Sequence, residues 1–358
     1  MSIDIYSFYN NKGGVGKTTL CFNAATLYAK NHPNTQVLVI DMCPQANISQ
    51  LLLGGGIVGY EKNQKIQSSA TRKNVVGFMD WILKGNSNFR RLTNSFRIPV
   101  DRHNIHISSN LYLIAGDSFL ESLSLALNYA VINPANINAW SEYMTAIKRL
   151  CEGEFDSENY TDMVVFIDCN PSFSIYTQMA LVSSDKIIIP MMADFSSLEG
   201  IKGLFMLLYG KYPSAALQQY ADRIVTFKRQ VEQFNLKLPS IYEFVFNNYT
   251  IKDGVATAYD SIREELTKFC YEQYRKFPDL FTPLSQEPTS MEDWVKSYVS
   301  NIKDFHTSGK VSASLGIPMF NLPNQSMYIM PDQTEVRLPI KNYEKALKEI
   351  SCFVTKLR

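Results

Sequence analysis

Short apolar runs punctuate the chain at 3–8, 37–40, 164–167, 187–190 and 242–246, each rich in Ile, Val and Phe. Runs this short, without strict alternation of polar and apolar positions, predict strands buried on both faces. Between them the period changes. Over 18–30, Leu20, Ala24 and Leu27 fall on one face, and the segment stops before Asn31-His32-Pro33, which predicts a helix. Strands alternating with helices predict an α/β fold with a mostly parallel, twisted sheet and helices on both faces.

Two stretches depart from this alternation. Segment 54–105 opens with Gly54-Gly55-Gly56 and carries nine basic residues: Lys62, Lys65, Arg72, Lys73, Lys84, Arg90, Arg91, Arg97 and Arg102. Its only acids are Glu61, Asp80 and Asp101, so it reads as a basic insertion with a local balance of +6 in a chain of net charge +1. Segment 211–300 is a Tyr- and Phe-rich, largely helical elaboration around the run at 242–246. Both read as additions to one domain spanning 1–358.

Composition narrows the class further. At 358 residues, with 46% apolar and 19% charged residues, the chain can bury a full core and is neither disordered nor a coiled coil. The near-neutral balance argues against uniform coating of nucleic acid and allows a local basic patch. Six scattered cysteines without a C-x-x-C pair suit free thiols in a reducing compartment. No apolar run approaches the roughly 20 residues of a membrane span, and residues 1–8 lack a signal-peptide pattern, so a cytoplasmic protein is expected.

The strongest local signal is Asn11-Lys12-Gly13-Gly14-Val15-Gly16-Lys17-Thr18-Thr19, placed between the first strand and the first helix. Glycines there let backbone N–H groups turn around a phosphate, and the helix N-terminus adds its positive dipole end. Lys17 is placed to reach the β- and γ-phosphates and the Thr18 hydroxyl to bind Mg²⁺. Asp168 ends an apolar run, where a carboxylate can hold Mg²⁺ through water.

The loop departs from G-x-x-x-x-G-K-[ST], with Asn11 at the first Gly position and a second lysine, Lys12, after it. It resembles the deviant Walker A family of ATPases, the ParA/MinD group. "VLVIDMCPQANIS" (37–49) is similar to that family's second strand and switch I, and "NIHISSNLYLIAGD" (104–117) to the strand that follows. "MVVFIDCNPSFSIYTQMALVSSDKIIIPMMADFSSLEGI" (163–201) is similar to the Walker B strand, switch II and the next strand. "FVFNNYT" (244–250) is similar to the strand end that supplies an adenine-binding Asn. The basic insertion and much of 211–300 have no counterpart in the family.

The resemblance implies a P-loop NTPase fold with ATP and Mg²⁺ as cofactors, and a homodimer with ATP sandwiched at its interface. Lys12 would reach the partner's nucleotide. Asn247 would read adenine, with Asn248 an adjacent competitor, and the turn 316–321 around Pro318 would complete the base pocket. The family's I-D-x-D-P-Q segment has two aspartates. The first corresponds to Asp41; the second, which orients the attacking water, is Cys43 here. A thiol accepts hydrogen bonds poorly and cannot draw a proton from water as a carboxylate does. Asp41 could substitute if the loop shifts by a residue.

Family members bind DNA, membrane or a protein partner in the ATP state. The DNA branch has two candidate surfaces, segment 54–105 and the C-terminal segment 336–358. The membrane branch is disfavoured: the apolar stripe Ala346, Leu347, Ile350, Phe353, Val354 and Leu357 suits a helix packed on its own sheet. The chain is therefore expected to be a slow Mg²⁺-dependent switch ATPase in DNA partition or positioning. The alternative is a nucleotide-gated regulatory or recruitment protein with little or no hydrolysis.

Overall fold

In the computed structural model the apolar runs form the interior of one twisted eight-stranded sheet. The structure describes residues 2–89, 95–249, 258–303, 305–323, 325, 327–331, 333–338 and 340–357. The strands are β1 (Ile3–Phe8), β2 (Thr35–Met42), β3 (Ile98–Pro99), β4 (Leu111–Ile114), β5 (Asp162–Cys169), β6 (Lys186–Met191), β7 (Ser240–Tyr249) and β8 (Val299–Lys303). They lie in the order β3-β4-β2-β5-β1-β6-β7-β8. Every pairing is parallel except β3 with β4. A separate antiparallel pair joins β9 (Met327–Ile329) to β10 (Glu335–Arg337).

Alternate residues of the central strands enter two cores. Met163, Val165 and Ile167 of β5 face helices 120–131, 146–154 and 175–183, while Val164 and Phe166 face helix Lys17–Asn31 and the C-terminal helix Ile340–Lys356. Phe166 stacks on Tyr6 at 5.8 Å and meets Tyr28 edge-on at 5.8 Å. Covering both faces explains why these strands read as continuous apolar runs.

Segment 54–105 is built into this frame. Helix Val75–Leu83 buries Val75, Val76, Phe78, Met79 and Ile82, and β3 extends the sheet at its edge. Its aromatics anchor it: Phe78 lies 5.7 Å from Phe96, and Trp81 lies 5.2 Å from Phe89. Gly55 has a φ of 67°, and a Cβ there would stand 2.2 Å from the backbone nitrogen of Gly316. Only glycine permits this approach of the glycine run to helix His306–Leu315.

Part of the segment's positive charge is internally matched. Arg97 donates to the Glu154 carbonyl, faces the Asp156 carboxylate at 3.5 Å and lies over the Tyr112 ring at 4.7 Å. The Glu154 carboxylate is buried and also accepts from Ser95 Oγ and Phe96 N–H at 2.5 Å each. Arg97→Ala removes a charged donor from the Glu154 carbonyl and a cation 3.7 Å from its buried carboxylate, and is expected to cost about 1.5–3 kcal/mol. Urea unfolding checks this; an unchanged midpoint would contradict the structural role. Arg72 and Lys84 are likewise paired, with Asp117 at 3.8 Å and Asp80 at 2.6 Å. Arg90 and Arg91 lie outside the described residues.

The apolar stripe of helix Ile340–Lys356 is covered. Ala346, Ile350, Phe353, Val354 and Leu357 are buried in the second core, and Lys356 pairs with buried Glu243 at 2.6 Å. Among the described residues no helix is long and apolar enough to cross a membrane.

Candidate nucleotide-binding site

The carboxyl ends of β1, β2 and β5 converge on one edge of the sheet, where parallel α/β folds place their ligand crevices. The loop 9–16 leaves β1 here and feeds helix Lys17–Asn31. Buried Asn10 moors it: Nδ2 donates to the Pro190 carbonyl at 2.7 Å, and Oδ1 accepts the Lys12 N–H at 2.9 Å. Asn11 extends toward helix Phe195–Tyr209, where a Cβ on Gly203 would lie 3.1 Å from its Nδ2. Gly13 and Gly14 face open space, so the backbone there is free to meet a ligand.

Gly16 caps the helix in the left-handed region, with φ 81°. A Cβ at Gly16 would collide with Asn247 Nδ2 at 1.7 Å, and the same Nδ2 donates to the Val15 carbonyl at 3.1 Å. Asn247 thus braces the loop from the end of β7. The side chain of Asn248 lies outside the described residues. Pro318 precedes a short turn docked on helix Lys17–Asn31: the Met319 N–H donates to Asn23 Oδ1 at 3.0 Å, and Asn23 Nδ2 donates to the Thr19 carbonyl at 2.9 Å.

Lys17 is buried, and its Nζ curls back to the Lys12 carbonyl at 2.9 Å and the Asn10 carbonyl at 3.2 Å. Burial lowers its pKa, opposed by the nearby Asp168 carboxylate. The Thr18 hydroxyl donates to Asp168 Oδ2 at 2.7 Å. The other oxygen, Asp168 Oδ1, is buried and has no hydrogen-bond partner. An orphaned carboxylate oxygen beside a threonine hydroxyl is a donor set of the hard-oxygen kind that Mg²⁺ takes. The two residues fit the ion.

Register places Asp41 directly across from Asp168. Burial first, and then their proximity, raise the pKa of Asp168; burial likewise raises that of Asp41. Asp41 does not face open space. Its Oδ1 accepts the Cys43 N–H at 3.1 Å, and its Oδ2 accepts the Ser49 hydroxyl at 2.6 Å and the Ser49 N–H at 3.1 Å. In this geometry Asp41 braces the turn after β2 through both of its oxygens. Cys43 is a protonated thiol, pushed up to about 12 by burial and by Asp41 and Asp168, and it donates to Gln45 Oε1 at 2.8 Å.

Lys12 is held within its own chain. Its Nζ lies 2.5 Å from Asp194 Oδ2, and Asp194 also caps helix Phe195–Tyr209 by accepting the Ser197 N–H at 2.7 Å. Burial would raise the Asp194 carboxyl, and the bonds from Lys12 and Ser197 overcome it and hold the pKa below the ordinary value. Asp194, Asn10 and Ser49 are site residues that local pattern did not single out. For Asp194 a signal existed, since Asp before Phe-Ser-Ser at a strand end is an N-cap pattern.

Residues 3–210, more than half of the chain, match the family model AAA_31, an AAA domain. The chain belongs to that family. A curated relative is the chromosome partitioning protein ParA of Caulobacter vibrioides, 25% identical over 200 residues covering 56% of this chain and 60% of that protein. The chain spans about 60% of the length of the first curated relatives it matches. Among solved structures, a plasmid partition protein of Borrelia burgdorferi bound to AMPPNP superposes with a TM-score of 0.52, at 22% identity and 99% coverage of both chains. The pNOB8 ParA bound to nonspecific DNA superposes with a TM-score of 0.52, at 16% identity, covering 99% of this chain and 100% of that one. These are likenesses of architecture: the chain has a ParA-like P-loop α/β fold.

Proposed function

We propose that this chain is an ATP-binding, ATP-dependent dimerising switch of the ParA type that acts in DNA partition or positioning in the cytoplasm. The observation that carries the reading is the Thr18–Asp168 pair, with its orphaned oxygen, beneath a glycine loop bearing a second lysine. Relatives and structural neighbours named for partition, one bound to AMPPNP, support it.

In this mechanism the loop 11–19 wraps the phosphates with its backbone N–H groups and the helix N-terminus. Lys17 leaves the Asn10 and Lys12 carbonyls, which are weak partners for an ammonium, and turns to the β- and γ-phosphates. Asn247 and the Pro318 turn flank the base. Thr18 and, through water, Asp168 would hold Mg²⁺, which would supply positive charge to offset that of the phosphates. Lys12 exchanges Asp194 for the phosphates of the partner's nucleotide, which ties assembly to the presence of ATP. Exposed Phe195, next to Asp194, supplies apolar surface beside that contact.

Light scattering without nucleotide, with ADP and with Mg²⁺-ATP tests the reading. A dimer with ATP and a monomer in the other two states is expected. A monomer in all three would overturn it.

A second reading rests on Cys43. With a thiol at that position and both Asp41 oxygens bonded within the turn, the chain would bind ATP and dimerise to recruit or regulate a partner, with little hydrolysis. Steady-state turnover with and without DNA separates the two.

A further inference from the structure

Between helix Gly56–Gln67 and the turn after β3 lies an open cleft of about 480 Å³. Its polar lining is Lys62, Lys65, Lys73, His103, Ser69 and Thr71, with no carboxylate among the lining residues. Lys65 and Lys73 are exposed and, among the described residues, have no ion-pair partner. This separates them from Arg72, Lys84 and Arg97, whose charges are matched internally. The nearby acids, Glu61 and Asp101, do not line the cleft.

We propose that this cleft is a docking surface for the phosphodiester backbone of duplex DNA. It rests on the partition reading only for the choice of DNA as the polyanion. The chemistry of the lining selects the mode of contact. Lysine ammoniums are compact point charges that meet phosphates from many directions, whereas arginine forks read guanine edges and aromatic rings stack on unpaired bases. Beside its lysines and hydroxyls the lining has one imidazole, His103, and no Arg, Phe, Tyr or Trp, so it fits a stacked duplex contacted without regard to sequence. Three lysines and no carboxylate in the lining make the local field positive, and that field draws a phosphate ridge into the cleft.

The cleft is also fixed relative to the nucleotide site. On the buried face of helix Gly56–Gln67, Gln67 Nε2 donates to the Gly116 carbonyl at 3.3 Å. The Gly116 N–H donates to Ser49 Oγ at 2.8 Å, and that hydroxyl donates to Asp41 at 2.6 Å. The lysine-bearing surface therefore rides on an element moored to the turn after β2.

The test is a fluorescence-anisotropy titration of the full chain with Mg²⁺-ATP against random-sequence DNA duplexes over a salt series. Lys65→Ala with Lys73→Ala removes two exposed, unpaired charges and leaves the fold intact. The double variant is expected to weaken binding equally for all sequences and to reduce the slope of log affinity against log salt by about 2. Lys345→Ala with Lys348→Ala, on the exposed side of the C-terminal helix, is expected to leave both unchanged. Inorganic phosphate at matched ionic strength is expected not to displace the duplex. Absence of DNA binding by the wild-type chain, an unchanged slope in the cleft variant, transfer of the effect to the C-terminal pair, or displacement by inorganic phosphate would each overturn the proposal. Light scattering on the same cleft variant keeps the readings apart: ATP-dependent dimerisation persists whether or not the cleft binds DNA.

Discussion

Lys17→Ala is expected to weaken ATP binding at least about a hundredfold, while Lys12→Ala leaves binding within a few-fold and removes the ATP-dependent dimer. The difference follows from where the two ammoniums sit. Lys17 is buried under the loop and, among the described residues, bonded to two carbonyls, so phosphate oxygens are its stronger partners. Truncating one member of a desolvated charge pair costs about 2–5 kcal/mol, and a hundredfold corresponds to about 2.7 kcal/mol, near the low end of that range. Lys12 lies at the outer edge of the loop with a carboxylate already in place, so its loss subtracts little from the chain's own nucleotide contacts. Asp194→Asn sharpens the test, because asparagine keeps the helix cap and removes only the charge holding Lys12. A partly exposed pair of this kind is worth at most about 1 kcal/mol, so dimer affinity should rise no more than about fivefold. Calorimetric titration for binding and light scattering for assembly measure the two quantities separately. Equal loss of nucleotide binding in Lys12→Ala and Lys17→Ala would contradict the assignment.

What the sequence discloses of this site is what local chemistry dictates. The run 11–19, the strand ending in Asp168 and the helix that follows Lys17 are each readable because strand, loop and helix are contiguous and their residue types are constrained by backbone geometry. What it conceals depends on distant partners. β8, with Ser300 and Asn301 within it, shows little apolar pattern because it lies at the edge of the sheet. β3 is two residues long and owes its place to β4. The run Gly54-Gly55-Gly56 reads as a loop until the backbone of 313–316 is found against it. Charge counting over 54–105 gives +6 correctly, yet Arg97 belongs to Glu154 and Asp156 across the fold, while Lys65 and Lys73 in the cleft have no ion-pair partner among the described residues. Asp41 shows the same limit: the sequence allows it to substitute for the missing carboxylate if the loop shifts by a residue, and its bonds to Ser49, eight residues on, engage it in the turn.

Cys43→Asp is expected to raise ATP turnover by at least about tenfold, a conservative share of the 10²–10⁴ that a positioned general base supplies. The wild-type thiol donates to Gln45 Oε1 and is held protonated by burial beside Asp41 and Asp168, so it cannot accept a proton from water. A carboxylate in its place can. The Gln45 amide then turns its Nε2 toward the new acceptor, and the Cys43 N–H bond to Asp41 keeps the turn in place. The substitution adds a third acid to a site where Asp41 and Asp168 are already raised by burial, so the nucleotide-free variant should be less stable than wild type. Bound Mg²⁺ and the Lys17 ammonium offset that charge in the ATP state, and turnover should be measured there. Cys43→Asn separates size from charge, since it offers an acceptor oxygen without basicity and should stay near the wild-type rate. Dimer lifetime should shorten in step with turnover, because hydrolysis removes the phosphate that Lys12 holds. If the wild-type chain already turns over ATP as fast as Cys43→Asp, a group other than residue 43 positions the water, and the second reading of this protein fails with it.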